Sequence, residues 1–314
     1  MRTRTAAPAA LAATVLLLAA CGAERTETAS SSSAAPVDDP GRDGVRVISL
    51  TVPSPSASPS PSRSYSVSAD RLATGADSGV SAGYEITNES AEALTYSVVL
   101  TFASEDGGAV ANQKVTVRDV GPGRTVRGTV HAGELPPSAP RITRARVLKV
   151  TKVPAGEAPA DPGACPASGV RVSADRGDAA MGLRVVGLHL DNCGTRDYTV
   201  KGYPQLELLD ENFRPVNGVD VLDGSGGITT GAGPDEAPGT VALAPGESAT
   251  AALVWRNTTE SGTPVNVPHV RVRARAGADP VTVTPELDLG TTGKLGVRPW
   301  KKADSQGRSA AGPS

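Results

Sequence analysis

The feature that most constrains the fold of this chain is a period-two alternation of apolar and polar residues. In residues 96–102, for example, large apolar side chains occupy every second position. Successive side chains of a β-strand point to opposite faces, so this spacing predicts a strand with one buried face. The 35 glycines and 26 prolines disfavour long helices and supply turns between short strands. The sequence therefore predicts an all-β protein.

Two groups of strands are separated by residues 155–164, a linker rich in proline, alanine and glycine. Residues 64–154 precede the linker and residues 165–300 follow it, and each group contains short alternating segments divided by turn residues. Turn signals that recur about every 10–15 residues are typical of antiparallel sandwiches. We predict two immunoglobulin-like antiparallel β-sandwich domains, with a disordered tail at residues 301–314.

A short pattern in the first predicted sandwich supports this assignment. Ile86-Thr87-Asn88 is followed by the aliphatic strand that ends at Phe102, and then by Val120-Gly121-Pro122-Gly123. This order resembles small immunoglobulin-like modules of bacterial surface lipoproteins. The resemblance implies a fold and carries no information about activity.

The N-terminus has the form of an export signal. Arg2 and Arg4 precede an apolar stretch at residues 6–20, which is shorter than the roughly 20 residues that span a bilayer as a helix. Leu18-Ala19-Ala20-Cys21 resembles the lipobox of bacterial lipoproteins, which implies cleavage after residue 20 and a diacylglycerol on Cys21. Two acyl chains give stable membrane anchoring. We predict a protein anchored at the outer face of the cell membrane; the alternative is a plain secretory signal.

Residues 21–63 have the composition of a disordered tether. They contain a run of four serines and an alternation of proline and serine, which bury too little apolar surface to offset conformational entropy. Residues 45–52 are an apolar exception. Two interpretations remain open for them, an extra edge strand of the first sandwich, which we favour slightly, or an adhesive linear segment.

Cys165 and Cys193 are the cysteines that remain once Cys21 is assigned to the lipid. An even pair in an oxidising compartment predicts a disulfide bond. The alternative is a catalytic thiol, which needs a partner base and a lowered pKa. No histidine is a sequence neighbour of either cysteine, so we favour the disulfide.

Several short motifs follow the linker in a fixed order. They are Asn192-Cys193-Gly194-Thr195, Gly202-Tyr203-Pro204, Pro245-Gly246-Glu247-Ser248, Leu253-Val254-Trp255-Arg256-Asn257 and Leu289-Gly290-Thr291-Thr292-Gly293. Together they resemble a secreted actinobacterial domain, domain of unknown function 4232. The resemblance covers residues 165–300 and implies an exported β-domain, often with a cysteine pair and with no known activity.

Two groups of basic residues are candidate ligand contacts. Arg271, Arg273 and Arg275 alternate with apolar residues, so they project side by side from one face of a predicted strand. They either grip an anionic chain or form an ordinary exposed sheet face. A second run, from Arg141 to Lys152, either contacts anionic wall polymer or lipid headgroups, or protects an edge strand from pairing, which we favour.

No constellation of catalytic residues is evident. A Ser-His-Asp triad around Ser225, in the glycine-rich loop within residues 220–239, would need a histidine base, and no sequence feature ties His131, His189 or His269 to this loop. Acidic residues of this loop match no calcium-loop spacing, and no cysteines or histidines have zinc spacing. We predict no enzyme activity, no metal and no cofactor. An extracytoplasmic hydrolase that uses the 220–239 loop remains the alternative.

These features predict a lipid-anchored, extracytoplasmic binding protein of the bacterial cell envelope. Removal of residues 1–20 leaves a net charge of about −4, which gives no basic excess for a nucleic-acid partner. The expected partners are the membrane, through the covalent lipid, and either another envelope protein or an anionic wall polymer. A solute-binding lipoprotein is a further alternative, but the helical periodicity of its two α/β lobes is absent.

Overall fold

The computed structural model describes residues 33–37, 39–53, 76–229 and 235–304. Strands dominate these residues, and a single 3₁₀ turn at Ala155–Glu157 is the helical element among them. The predicted all-β fold is confirmed. The predicted signal segment, Cys21, and residues 305–314 of the predicted tail lie outside the described residues, as do residues 54–75. The prediction of a disordered tail from residue 301 is wrong at its start, because Lys301–Lys302 forms a short strand that pairs with Ala249 and Thr250.

The first module consists of two facing sheets. Its strands are β1 (Ser33–Pro36), β2 (Val45–Val52), β3 (Ala76–Asp77), β4 (Ser81–Thr87), β5 (Leu94–Ala103), β6 (Ala109–Val120), β7 (Thr125–His131), β8 (Glu134–Leu135) and β9 (Arg144–Pro154). One of the facing sheets has the order β1-β2-β4-β7 and the other β6-β5-β9, while β3 and β8 form a separate two-stranded sheet. The apolar positions of β5 face the opposing sheet, and Tyr96, Leu100 and Phe102 are fully buried there.

The apolar island at residues 45–52 is an interior strand of this module. As β2 it pairs with β1 on one side and with β4 on the other, so it is a strand, as favoured, but not an edge strand. Val45, Val47 and Leu50 enter the core because burial of apolar side chains outweighs the entropy cost of ordering them. The first module therefore begins N-terminal to the boundary predicted at residue 64.

The second module has a larger main sheet and several smaller ones. Its strands are β10 (Val170–Ala174), β11 (Asp178–Ala180), β12 (Leu183–Asn192), β13 (Tyr198–Lys201), β14 (Gln205–Leu209), β15 (Asp220–Asp223), β16 (Thr240–Leu243), β17 (Ser248–Arg256), β18 (Asn266–Val267), β19 (His269–Arg273), β20 (Val281–Val283), β21 (Leu287–Asp288), β22 (Lys294–Val297) and β23 (Lys301–Lys302). The main sheet follows β10-β12-β17-β22-β15, and β14-β19-β20 lies across the core from it. Cys165 and Cys193 form the predicted disulfide, with their Cα atoms 5.6 Å apart.

The two modules repeat one strand arrangement. In the first, β2 pairs with β4, β4 with β7, and β5 with both β6 and β9. In the second, β10 pairs with β12, β12 with β17, β13 with β16, and β14 with β19. The strand that is continuous as β5 in the first module is divided into β13 and β14 by the Gly202-Tyr203-Pro204 turn in the second.

A buried asparagine closes the same corner in both modules. The Nδ2 group of Asn88 donates to the carbonyl oxygens of Glu92 and Val120, both at 2.7 Å. The peptide N–H of Asn88 donates to Arg124, and its carbonyl accepts from Gly123 at 2.7 Å. Because Gly123 has a φ of +64°, this turn favours glycine.

Asn192 makes the corresponding hydrogen bonds in the second module. Its Nδ2 group donates to the carbonyls of Arg196 at 2.9 Å and Leu243 at 2.8 Å, and its own carbonyl accepts from Gly246 at 2.7 Å. In each module the asparagine thus ties the end of one strand to the Pro-Gly turn that precedes the strand paired with it, which is β7 in the first module and β17 in the second. We name these contacts the asparagine corners.

The modules pack against each other. Phe213, in the turn after β14, contacts the core of the first module and stacks on His269, with ring centroids 4.8 Å apart. Arg271 and Thr282 of the second module donate to the carboxylate of Glu157 at 2.8 and 2.6 Å. Apolar and charged contacts therefore fix the second module on the end of the first.

This interface contains a pH-sensitive group. Burial lowers the pKa of His269, and its Nδ1 atom has no hydrogen-bond partner among the described residues. The unfolded chain therefore takes up a proton at a higher pH than the folded chain does, so unfolding free energy falls as pH drops below the ordinary histidine range. Thermal unfolding measured across pH tests this. We expect His269→Phe to reduce the fall in unfolding free energy at low pH, whereas His131→Phe, at an exposed position of β7, should not change that fall.

Candidate functional site

A cleft of about 620 Å³ lies between the two modules. Its floor is the outer face of the β6-β5-β9 sheet, at the end where Thr95 and Ser97 lie. One wall is the linker at residues 158–162, and the opposite wall comes from residues 173–176 and 282–286 of the second module. The cleft exists because the second module covers one end of a sheet face that does not contribute to the core.

Hydroxyl groups form the floor of the cleft. Ser97 pairs with Thr116 on β6 and with Thr151 on β9, and Thr95 lies one step further along the same face of β5. These side chains alternate with the core-facing Tyr96, so strand geometry directs them away from the core and into the cleft. A row of hydroxyls can both donate and accept hydrogen bonds, which suits a polar ligand.

Charged side chains surround this floor. Arg118 contacts Asp161 of the linker at 2.6 Å, and Lys149 forms an ion pair with Glu286 of the second module. The hydrogen bonds from Arg118 hold the pKa of Asp161 below its ordinary value. Among the described residues, Lys114 and Arg176 line the cleft with no carboxylate within 4.0 Å. The cleft therefore offers cations to a ligand from both modules.

Comparison with known proteins identifies the second module. Residues 165–301 match the model of a domain of unknown function, DUF4232. The match begins at Cys165, on the disulfide, and ends just after Trp300, whose indole is buried in the core. The expected resemblance of this part of the chain is confirmed, and we call it the DUF4232 region. No curated protein matches the chain.

The predicted arginine row of the DUF4232 region is occupied by internal contacts. Arg271 donates to Glu157 and Glu207, both at 2.8 Å, and these bonds raise its pKa. Arg273 donates to the carbonyl of Ala278 at 2.7 Å. Arg275 lies over the ring of Tyr198, with its guanidinium carbon 4.4 Å from the centroid. The structure thus gives each arginine a structural contact and leaves a ligand role for the row untested.

The basic run of the first module is divided between the two faces of β9. Arg144, Arg146 and Lys149 lie opposite Ala103, Thr101 and Val99 on the outer face. Lys152 lies on the other face and contacts Asp43 at 3.2 Å. In the described part of the chain β9 is a sheet edge, as the favoured interpretation requires. The cations on its outer face continue the floor of the cleft.

Ser225 of the 220–239 loop is buried in a structural network. Its backbone N–H and its hydroxyl both donate to Asp235, at 2.6 and 2.8 Å, and Arg298 donates to its hydroxyl at 3.1 Å. Burial acts to raise the pKa of Asp235, but the hydrogen bonds from Ser225 and the backbone of Gly226, together with the charge of Arg298, leave it below its ordinary value. No histidine contacts Ser225 among the described residues, so the geometry does not favour the hydrolase alternative. Residues 230–234 of this loop lie outside the description.

Two features of metal-binding and membrane-spanning proteins are absent from the described part of the chain. It contains no cluster of three or more histidine, cysteine, aspartate or glutamate side chains arranged to hold a metal ion. Nor does any helix within it have the length and apolar character needed to cross a bilayer.

The cleft was not predicted from the sequence. The alternation of apolar and polar residues in the sequences of β5 and β6 does predict that Ser97 and Thr116 lie on polar faces directed away from the core. Which part of the DUF4232 region covers those faces depends on the turn at Phe213 and on Glu157, and neither residue has a sequence signature for docking. The repeated order of an asparagine at the end of a strand and a later Pro-Gly turn was also present in the sequence, but the spacing from Asn88 to Pro122 is shorter than that from Asn192 to Pro245, so spacing alone does not reveal the repeated arrangement.

Proposed function

We propose that this protein is a lipid-anchored, extracytoplasmic binding protein of the bacterial cell envelope, and that its ligand occupies the cleft between the modules. The proposal for its location rests on the export signal and on Cys21 within Leu18-Ala19-Ala20-Cys21. The predicted tether, residues 21–63, is shortened by the inclusion of β2 in the first module. The anchored chain would still carry both modules away from the membrane.

The observation that carries the binding proposal is the polar cleft itself. Its hydroxyl floor and unpaired cations are binding chemistry without a nucleophile–base pair among the residues that line it. Asp175 lines the cleft and makes a 3.3 Å contact with the exposed side chain of His189. Its carboxylate also accepts hydrogen bonds from the backbone N–H groups of Gly177 and Gly187. That arrangement holds a turn together, which supports recognition rather than catalysis.

The described residues also bear on the solute-binding alternative. That hypothesis needs two α/β lobes around a cleft, whereas both walls of this cleft come from β-sandwich modules and a linker. Sites between packed domains are nonetheless common places for ligands. The proposed function therefore shares with the solute-binding alternative a ligand in a cleft between two domains, but those domains are β-sandwich modules and not α/β lobes.

A cleft-filling substitution tests the proposal. Thr116 and Thr129 are both exposed threonines on strands of the first module, but only Thr116 lines the cleft. Envelope components are cross-linked to the anchored chain in intact cells and identified by mass spectrometry. We expect Thr116→Trp to lose a component that the unsubstituted chain and Thr129→Trp both retain.

The anchor is tested in the same experiment with Cys21→Ala. We expect this variant to leave the membrane fraction and to lose any component that is captured only at the membrane surface. Retention of every captured component by Thr116→Trp would refute the cleft as the site. Retention of Cys21→Ala in the membrane fraction would refute the anchor.

A further inference from the structure

The outer face of the β6-β5-β9 sheet extends beyond the cleft and is strongly basic. Five cations project from it: Lys114, Arg118, Arg144, Arg146 and Lys149. The described part of the sheet also contains Asp119, an exposed carboxylate in the β6 bulge beside Arg118. Three further acids, Asp161, Asp175 and Glu286, line the cleft from the linker and the DUF4232 region, and two of them pair with cations of the face. This basic face is unusual in a chain whose formal net charge is −2.

We infer that the basic face binds a linear polymer that carries repeated phosphate groups, and that such a polymer is the ligand class of the cleft. This inference rests on the proposed function and specifies its ligand. The polymer lies along β5, with one end in the hydroxyl-lined cleft and the other over Arg144 and Arg146.

The geometry of the face fits a chain of regularly spaced anions. Lys114 and Lys149 flank Val99 from the two neighbouring strands, so their Cα atoms are about 10 Å apart across the sheet. Arg146 is paired with Thr101, which lies two residues beyond Val99 on the same face of β5. The Cα atoms of Val99 and Thr101 are about 7 Å apart along the strand. From Thr95 to Thr101 the face is about 20 Å long, which accommodates several charged repeats rather than a single small anion.

The donors on the face favour phosphate. Guanidinium groups present paired N–H donors that match phosphate oxygens, and the hydroxyls of Ser97, Thr116 and Thr151 supply neutral donors between the cations. The floor offers no aromatic platform on which a neutral sugar would stack, because Tyr96 and Phe102 face the core. Charge and hydrogen bonding therefore dominate recognition here.

The shape of the cleft favours a single polymer chain over a bilayer. The floor at Ser97 lies between the linker at 158–162 and the 282–286 segment, and these walls stand on opposite sides of it. A flat membrane surface cannot enter this recess, whereas an extended chain can lie along it. An anionic membrane is therefore the competing outcome of the test.

The ion pair between Lys149 and Glu286 at the rim of the cleft predicts that removal of an acid strengthens ligand binding. In the free protein Glu286 forms an ion pair with Lys149, and both side chains are about half exposed. A phosphate on Lys149 must displace this carboxylate. Glu286→Gln removes the competing charge with little change of shape, so it should strengthen binding, while loss of a cation weakens it.

The experiment titrates the full chain carrying Cys21→Ala with inorganic polyphosphate and measures the dissociation constant at several salt concentrations. We expect binding that weakens steeply as salt rises. The double variant Lys114→Glu, Arg146→Glu should bind about tenfold or more weakly at low salt, and Glu286→Gln should bind about two- to fivefold more tightly. The matched control Lys201→Glu, at an exposed position of β13 outside the cleft, should change the constant by less than about twofold.

Several outcomes would overturn the inference. They are absence of polyphosphate binding, equal losses in Lys201→Glu and in the double variant, weaker binding by Glu286→Gln, or preferential binding to vesicles of phosphatidylglycerol. Loss of a captured envelope component in Thr116→Trp without any polyphosphate binding would refute this ligand class and leave the proposed cleft function standing. Polyphosphate binding with unchanged capture by Thr116→Trp would refute the cleft function.

Discussion

Replacement of Asn192 by alanine is expected to lower the unfolding free energy of the DUF4232 region by about 2–4 kcal/mol. Asn192 is 2% exposed, and its Nδ2 group is the donor to the carbonyls of Arg196 and Leu243. Alanine leaves both carbonyls without this donor, and each unsatisfied buried group costs about 1–3 kcal/mol. The corner that joins β12 to the turn before β17 is weakened as a result.

Fluorescence provides a selective measurement of this loss. Both tryptophans of the chain, Trp255 and Trp300, lie in the core of the DUF4232 region, so denaturation followed by their emission reports on that module. The control is Asn212→Ala, an exposed position where substitution costs less than about 0.5 kcal/mol. A loss below about 1 kcal/mol for Asn192→Ala would contradict the role of the corner.

The equivalent substitution in the first module should have a similar effect. Asn88 is fully buried, makes the same pair of donations and also accepts a hydrogen bond from the hydroxyl of Tyr96 at 3.4 Å. We expect Asn88→Ala to cost about 2–4 kcal/mol as well. Because the tryptophans lie in the other module, this loss is followed by hydrogen exchange at the amides of β4 and β5.

Removal of the disulfide is expected to cost about 3.5 kcal/mol in the DUF4232 region. Cys165 and Cys193 are separated by 28 positions, and in the chain-entropy account a cross-link over that span restricts the unfolded chain by this amount. The bond ties the segment before β10 to the residue after β12, beside the corner at Asn192. The Cys165→Ala, Cys193→Ala variant is compared with the unsubstituted chain by denaturation followed through tryptophan emission.

Chemical reduction gives an independent check on this prediction. A reductant should destabilise the unsubstituted chain by about as much as the double substitution does, and it should leave the double variant unchanged. A cost below about 1 kcal/mol in both experiments would mean that the unfolded chain is already compact across this span.

The strands were predictable from the sequence because each of them buries only one of its two faces in a core. At β5 the large apolar side chains recur at every second position, and burial of that face fixes the strand and its orientation. The polar face follows automatically, so the location of Ser97 on the outer surface could also be predicted. The disulfide was predictable because a pair of cysteines remained in a chain with the predicted form of an exported protein.

What could not be predicted depends on contacts between distant residues. The polar sequence on both sides of residues 45–52 favours an edge strand, yet β1 pairs with β2 from the N-terminal side. Glu157 was assigned to a linker, but its carboxylate is the acceptor for Arg271 and Thr282 and helps to fix the second module. Neither pairing has a local signature, since both join residues that are far apart in the chain or belong to different modules.

The contrast between the two arginine-rich strands has the same origin. The row from Arg271 to Arg275 and the outer cations of β9 have similar spacing, and from the sequence each is either a ligand contact or an ordinary surface feature of its strand. In the structure, acidic and carbonyl partners occupy the first row, while Arg144 and Arg146 have no carboxylate within 4.0 Å among the described residues. Only the arrangement of the partners separates an internal contact from a surface available to a ligand.

Site-specific photo-cross-linking in intact cells tests the cleft most directly. A photoreactive phenylalanine analogue is placed at Thr116, inside the cleft, or at Thr129, on the opposite sheet of the same module. If the cleft holds the ligand, a discrete envelope component becomes attached at residue 116 and not at residue 129. Attachment of the same components at both positions, or at residue 129 alone, would contradict a ligand site between the modules.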